Sequence, residues 1–244
     1  MGERVIRNSE TDRSVCLFEV SRSPDCMGFF VAFTGFGNAN DSSFDKGPSV
    51  MKLKENIIHE SLKLFSLKGF LSTSIQDIIK AAHTSKGGFY NHFASKEDLF
   101  YQVLDKARSI WRERNLSGLD GVCGPIEKIK KLMENYRDRY LKDAENFPGG
   151  CVFITFSIEL GDQRPHLAQE VHKGFNGVKA MLNRLLEEGR KTGELRNDVN
   201  AGVITEVLFA GMLGASVIYN VDREKDSLDR SIDSLIDYLE KFKS

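Results

Sequence analysis

From Met51 onward, apolar residues recur at helical spacing along most of the chain. Leu53, Ile57, Ser61, Leu64 and Phe65 stand at i, i+4, i+8, i+11 and i+12 with Lys and Glu between them, and Gly69 closes the run. This pattern predicts an amphipathic helix with a glycine stop. Ser74-Ile75-Gln76-Asp77 has the spacing of a capping box and opens a short helix through Ile78, Ile79 and Ala82 that stops near His83. Thr84 or Ser85 caps a second short helix that reaches about Phe93. Ser95-Lys96-Glu97-Asp98 starts a longer one, with Leu99, Phe100, Val103, Leu104, Ala107, Ile110 and Trp111 on one stripe. Four helices in about 65 residues, with a three-to-four-residue turn between the second and third, have the layout of a helix-turn-helix unit.

"NLSGLDGVCGP" at 115–125 marks a boundary. Beyond it the pattern predicts a helix from Ile126 to about Phe147. The apolar run "CVFITFSIEL" follows, and its β-branched residues suit a buried strand as well as a helix. Leu167, Val171, Phe175, Val178, Leu182 and Leu185 then trace a long amphipathic helix. Residues 200–220 form an almost uniformly apolar helix, and 227–243 an amphipathic one carrying Leu228, Ile232, Leu235, Leu239 and Phe242. The expected fold is all-α, with a helix-turn-helix domain over 51–114 and a larger helical domain over 115–244. Residues 1–50 show no sustained period and read as an extension outside the folded domain, with Met51 as the functional start.

Composition changes this picture little. With 41% hydrophobic and 28% charged residues, the chain reads as globular. No apolar run approaches the roughly 18 to 20 residues that span a bilayer, and no apolar segment follows the N-terminal "MGERVIRNSE" as a secretory signal requires. The expectation is a cytoplasmic protein without membrane contact. Cys16, Cys26, Cys123 and Cys151 lack metal-ligand spacing, so neither a zinc site nor a cofactor is expected. Charge adds one hint: the overall net of −1 divides into +4 over residues 51–115 and negative balances on either side. A basic module joined to an acidic remainder suits one nucleic-acid-facing domain and one with another task.

The chemistry concentrates in "TSKGGFYNHFASKEDLF" (84–100). Gly87 and Gly88 each cost a helix up to about 1 kcal/mol relative to alanine, so something other than local stability accounts for them. In a helix-turn-helix the second helix enters the major groove. Two bare positions near its start let the backbone sit against DNA. Lys86 and Lys96 are placed to reach phosphates, and Thr73, Ser74 and Ser85 offer hydroxyls and helix-end N–H groups for the same purpose. Tyr90 and His92 carry rings with polar tips for sugar-phosphate or base edges, while Phe89 and Phe93 face inward.

"TSIQDIIKAAHTSKGGFYNHFASKEDLF" resembles the DNA-binding signature of the TetR/AcrR family of bacterial repressors. The resemblance is close over about 52–105 and looser in helix order through 243. The family's tight-turn glycine is replaced here by His83, a residue type that tolerates positive φ. Carried over by position, the DNA contacts are Thr73, Ser74, Ser85, Lys86, Gly87, Tyr90, His92 and Lys96. The resemblance further implies a ligand-responsive homodimeric repressor, paired through its last two helices and bound to a palindromic double-stranded DNA operator until a small-molecule effector releases it. Ala210, Gly211, Gly214 and Ala215 then suit close packing across a two-fold axis, or the interior of a single bundle.

Trp111, Tyr136, Tyr140, Phe153, Phe156 and Phe175 are the expected lining of an effector cavity, with Cys151 at its edge. Cys151 follows Pro148-Gly149-Gly150, where helix N–H groups can lower a thiol pKa. Its stretch resembles family members that sense electrophiles or oxidants through such a cysteine. Two alternatives therefore stand beside reversible binding of an apolar effector: a redox- or electrophile-sensing repressor acting through Cys151, and a cysteine-dependent enzyme pairing Cys151 with His172. No orienting carboxylate or phosphate-cradling loop supports the enzyme.

Overall fold

A computed structural model of the protein describes residues 48–244, with side chains from Lys52 onward. Nine α-helices are formed by the described residues: α1 (Pro48–Lys68), α2 (Ile75–Ala81), α3 (Lys86–Tyr90), α4 (Lys96–Asn115), α5 (Pro125–Asn135), α6 (Val152–Leu160), α7 (Pro165–Thr192), α8 (Ala201–Asp222) and α9 (Lys225–Glu240). The fold is all-α, and the isolated bridge between Leu195 and Lys243 is the nearest approach to a strand among these residues. The expectation for residues 1–50 lies outside the described residues, except that α1 already begins at Pro48.

Helix ends follow the chemistry of their capping residues. Gly69 leaves α1 at φ 81°, a conformation open to glycine without a Cβ penalty. The Ser74 hydroxyl accepts from the Asp77 N–H while the Asp77 carboxylate accepts from the Ser74 N–H, completing the capping box. At α4 the box is looser, because Asp98 takes the N–H of Ala94 and not that of Ser95. Ile57, Leu62, Phe65, Ile78, Phe89, Phe93, Leu99 and Phe100 form the buried centre of the first four helices.

Two elements depart from the pattern. The helix expected to reach Phe147 ends at Asn135 and gives way to a π-helical turn over Tyr136–Tyr140, closed by the Leu141 N–H on the Tyr136 carbonyl. Its apolar positions continue to Phe147, but along a turning chain. "CVFITFSIEL" resolves as helix: the Ile154 and Thr155 N–H groups return to the Cys151 carbonyl, which satisfies backbone that would need a neighbouring strand otherwise.

The expectation that no apolar run reaches membrane-spanning length is corrected by α8. By length and composition, this 22-residue helix is apolar enough to cross a bilayer. Three glycines and Glu206 interrupt the apolar run on paper without interrupting the helix. Its inner side, with Ile204, Leu208, Met212 and Ala215, is buried, and Glu206 pairs with Lys179 of α7.

Candidate nucleic-acid interface

The turn between α2 and α3 is built from backbone. The Ala82 N–H donates to the Ile78 carbonyl at 2.9 Å, the Thr84 N–H to Ile79 at 3.0 Å, and His83 takes φ 49°. Histidine thus stands in the left-handed conformation that a tight turn requires. Asn56 of α1 donates to the Ala82 carbonyl at 3.0 Å and fixes the turn to the first helix.

Ser85, and not Thr84, caps α3, its hydroxyl accepting the Gly88 N–H at 3.0 Å. The helix is shorter than the pattern predicts, five residues before the chain turns through Asn91 and His92. Phe89 and Phe93 are fully buried, and this fixes the opposite side outward. Ser85, Lys86, Gly87, Tyr90 and Asn91 are exposed, whereas His92 is half-buried with its ring 6.2 Å from that of Phe93. A Cβ at Gly88 would come within 2.3 Å of the Thr84 hydroxyl, so the fold opposes a side chain there. At Gly87 a Cβ would meet only the Ser85 hydroxyl, at 3.8 Å. Packing therefore accounts for one glycine of the pair and leaves the other unexplained.

Two residues expected at phosphates have other work. Thr73 is fully buried and its hydroxyl donates to the Gly69 carbonyl at 2.6 Å, so its expected DNA contact is corrected: it holds the loop that precedes α2. Lys96 donates to the carbonyls of Phe70 and Thr73, both at 2.8 Å, with its ammonium 4.4 Å from the centre of the Phe70 ring. Burial lowers its pKa against the pull of Glu159. Two of its three N–H donors are thus spent on the protein, leaving one. Ser74 remains exposed, with its hydroxyl engaged by Asp77.

The same loop is held from the second domain. Glu159 of α6 accepts the N–H groups of Phe70 and Leu71. Phe156, one turn earlier, packs against Phe65 and Phe100 with ring centres 6.0 and 4.9 Å apart. Phase within an apolar run could not reveal this, although a lone carboxylate in "FITFSIEL" was a signal that something polar waits for it. The expected place of Phe156 in an effector cavity is corrected, because its ring joins α6 to α1 and α4.

Other expected lining residues do converge. Tyr136 and Tyr140 stack at 5.6 Å, and the Tyr140 hydroxyl lies 3.4 Å from the Cys151 sulfur. Burial drives both phenols well above their ordinary pKa. Burial also raises the Cys151 thiol, outweighing the hydroxyl of Tyr140 and the N–H groups of Ile154 and Phe153 that favour a thiolate. Ser216 of α8, invisible as a site residue in the sequence, is fully buried here. Its hydroxyl has no hydrogen-bond partner among the described residues, although its position beside Tyr136 and Cys151 lowers both their pKa values slightly against the larger effect of burial.

Phe175 stands apart from that cluster. It packs on Phe209 and lines a cavity of about 200 Å³ with Ser157, Ala168 and His172. Trp111 is half-buried on α4, and Phe153 is buried at the start of α6. The enzymatic pairing lacks its geometry: His172 is exposed on α7, while the neighbours that act on the Cys151 thiol are Tyr140, Ser216 and backbone N–H groups.

The outer side of α8 is apolar and uncovered. Val203, Val207, Val217 and Val221 are exposed, and Ala210 and Gly214 continue the row at spacings of four and three. A Cβ at Gly211 would meet Leu235 of α9 at 2.4 Å, whereas one at Gly214 would meet nothing within 4 Å. Of Ala210, Gly211, Gly214 and Ala215, Gly211 thus packs within the chain and Gly214 faces out.

Comparison with known proteins gives matches for both halves of the chain. Residues 57–103 match the family described as bacterial regulatory proteins, tetR family, and residues 125–235 match the tetracyclin repressor-like C-terminal domain. The HTH-type transcriptional regulator QacR of Staphylococcus aureus is 38% identical over 157 residues, 62% of this chain and 78% of that protein. The HTH-type transcriptional repressor DhaR of Mycobacterium sp. (strain GP1) is 28% identical over 179 residues, 73% of this chain and 87% of that protein. A TetR transcriptional regulator from Chloroflexus aurantiacus superposes with a TM-score of 0.73 at 28% identity, over 80% of this chain and 98% of that one.

Proposed function

The chain belongs to the TetR family of bacterial regulatory proteins, and on that premise we propose that it is a cytoplasmic, homodimeric repressor released from a palindromic operator by a small effector. The observation that carries this reading is the outward face of α3. Two buried phenylalanines orient the helix, and they leave Lys86, Gly87 and Tyr90 exposed. Lys86 and Ser85 engage phosphates and fix the docking register, while Tyr90 leans on the groove wall. The uncovered valine row of α8 pairs with its counterpart in a second copy and sets the spacing of two half-sites.

The effector acts by preferring the dimer that cannot hold DNA, and the shift it produces is limited by that preference. Its entry is the cavity beside Phe175 and His172. At about 200 Å³ this lies below the roughly 300 to 1,000 Å³ of drug-sized sites, so a larger effector must part α6 from α7 as it reaches toward Tyr136 and Tyr140. Reversible binding is favoured over covalent sensing because burial keeps the Cys151 thiol protonated, and the thiolate is the reactive form.

A gel shift with genomic fragments tests the core of this reading. Discrete bands that weaken steeply with salt are expected; uniform, sequence-indifferent retardation would remove the regulator assignment. Treatment of the bound complex with an electrophile or peroxide tests the switch. DNA release that is lost in Cys151→Ser would establish the covalent route in place of the reversible one.

A further inference from the structure

The exposed face of α3 and its C-cap residue present four positions in two adjacent rows: Lys86 and Tyr90 in one, Gly87 and the C-cap Asn91 in the other. These side chains differ in what they can recognise. Lys86 is a point cation with donors only, suited to phosphate. Tyr90 offers a ring and one hydroxyl. Gly87 offers no side chain. Asn91 alone places a donor and an acceptor side by side on one planar group.

Three observations single out Asn91. Its backbone N–H is already used, donating to the Gly87 carbonyl at 2.9 Å, so its position is held by the helix. Its side-chain amide makes no hydrogen bond with any described residue and is exposed, so nothing within the fold accounts for it. Directly before it in the same row stands Gly87, where a Cβ would meet no atom closer than 3.8 Å. The surface is therefore lowest next to Asn91, and a duplex can come close enough for a short side chain to reach a base edge.

We propose that Asn91 is a sequence-reading side chain of this protein and that its target is adenine in the major groove. An amide carbonyl accepts from adenine N6 while the amide N–H donates to N7, a two-point match that no other base offers in that arrangement. The inference rests on the DNA-binding reading above and adds a specificity that the reading does not contain. It also moves sequence discrimination from the half-buried His92 to its exposed neighbour.

Selection of bound sequences from a random DNA library, performed with the full chain and with Asn91→Ala and Asn91→Asp, decides the matter. The unsubstituted protein should select a site with an A·T pair at one position of each half-site. Asn91→Ala should bind that site at least about 5-fold more weakly and lose discrimination at that one pair, with all other preferences kept. Asn91→Asp, an isosteric acceptor without the donor, should shift preference there toward cytosine, whose N4 amino group donates. Circular dichroism and sedimentation should show both variants folded as the parent. If either folded variant selects the parent's sequences unchanged, Asn91 does not read a base and the inference falls, with the regulator assignment intact. If the parent selects no site at all, both fall together.

Discussion

Gly87 and Gly88 of α3, and Gly211 and Gly214 in the middle of α8, form two pairs in which one member is filled by the fold and the other is not. Gly88 faces the Thr84 hydroxyl and Gly211 faces Leu235, so both are bare because the chain's own atoms occupy the space. Gly87 and Gly214 face outward, where a side chain would meet little or nothing. Helix stability alone would place alanine at both open positions, since each glycine costs a helix up to about 1 kcal/mol. The surroundings then distinguish the two regions. Around Gly87 the exposed groups are a cation, a phenol and an amide; around Gly214 they are valines. A polar, anionic partner suits the first surface and an apolar one, such as a second copy, suits the second. The same backbone device thus stands on two chemically opposite surfaces.

The largest expected effect comes from placing charge on the α8 face. Val217→Lys buries an unpaired ammonium if two copies meet there, and the dimer should fall apart at micromolar concentration in sedimentation velocity, with operator binding lost alongside. A variant that remains dimeric would put the pairing surface elsewhere and end the parallel between the two glycine pairs. A subtler probe of that surface is Gly214→Leu against Gly211→Leu. The first should weaken dimerisation while the unfolding of isolated protomers is spared; the second overpacks Leu235 and should lower protomer stability by about 1–3 kcal/mol.

Next in size is Gly87→Ala. Thermal melting should be unchanged or slightly raised, because the helix gains a better residue at no steric cost. Operator affinity should nevertheless fall about tenfold or more, as the added methyl lifts the helix from the groove. Equal affinity would mean that DNA does not approach at Gly87.

The two lysines should separate in the same manner. Lys86→Ala should reduce the dependence of log K on log salt by about 1, one phosphate contact's worth, with little change in melting. Lys96→Ala should instead lower the melting temperature, because it frees the carbonyls of Phe70 and Thr73. If the lysines behave alike, Lys96 is a phosphate contact first and a structural one second.

The smallest expected effect lies far from either surface. Hydrogen bonds from Arg137, ahead of those from Lys142, hold Asp138 at a pKa of about 2, below its ordinary 3.8. A depressed carboxyl pKa contributes stability that is present above pH ~4 and lost as pH falls toward 2. Asp138 is nearly half exposed, so solvent screening should leave about 1 kcal/mol or less. Denaturant titrations of the parent and Asp138→Asn should differ at pH 6 and converge toward pH 2.

Sequence pattern conveyed the helical scaffold because caps and stripes are local. Ser74, Ser85 and Ser95 announce helix starts through their own hydrogen bonds, and Gly69 and Gly193 announce ends through their positive φ. The π-helical turn at Tyr136 could not be read in the same way, since the apolar spacing runs on past it and tertiary packing decides where the chain bends. The placement of candidate residues was legible where it is set locally, as on the outward turn of α3. It was not where the role depends on a distant partner. Thr73 and Lys96 look like free polar groups in a basic segment, and only the fold brings them to the carbonyls they satisfy. Ser216 is one small residue in an apolar helix, and Tyr136 and Cys151 reach it from elsewhere in the chain.

The Pro148–Gly150 segment has a mechanical meaning beyond its packing. The Ser66 hydroxyl near the end of α1 donates to the Gly150 carbonyl and accepts the Gly149 N–H, both at 3.0 Å. Gly149 lies so close that a Cβ would reach within 1.9 Å of the Ser66 carbonyl oxygen. Arg223, at the end of α8, donates to the Pro148 carbonyl at 3.3 Å. This segment is therefore clamped between the end of one helix and the end of another. At the far end of α1, the Leu53 side chain lies where a Cβ on Gly88 of α3 would come within 3.7 Å of it. The arm from Ser66 to Leu53 is about 20 Å long at the helical rise, so a tilt of about 5° at the clamp would sweep its tip by roughly 1.7 Å. That is more than half the length of a hydrogen bond, at the end of α1 nearest the helix proposed to face DNA.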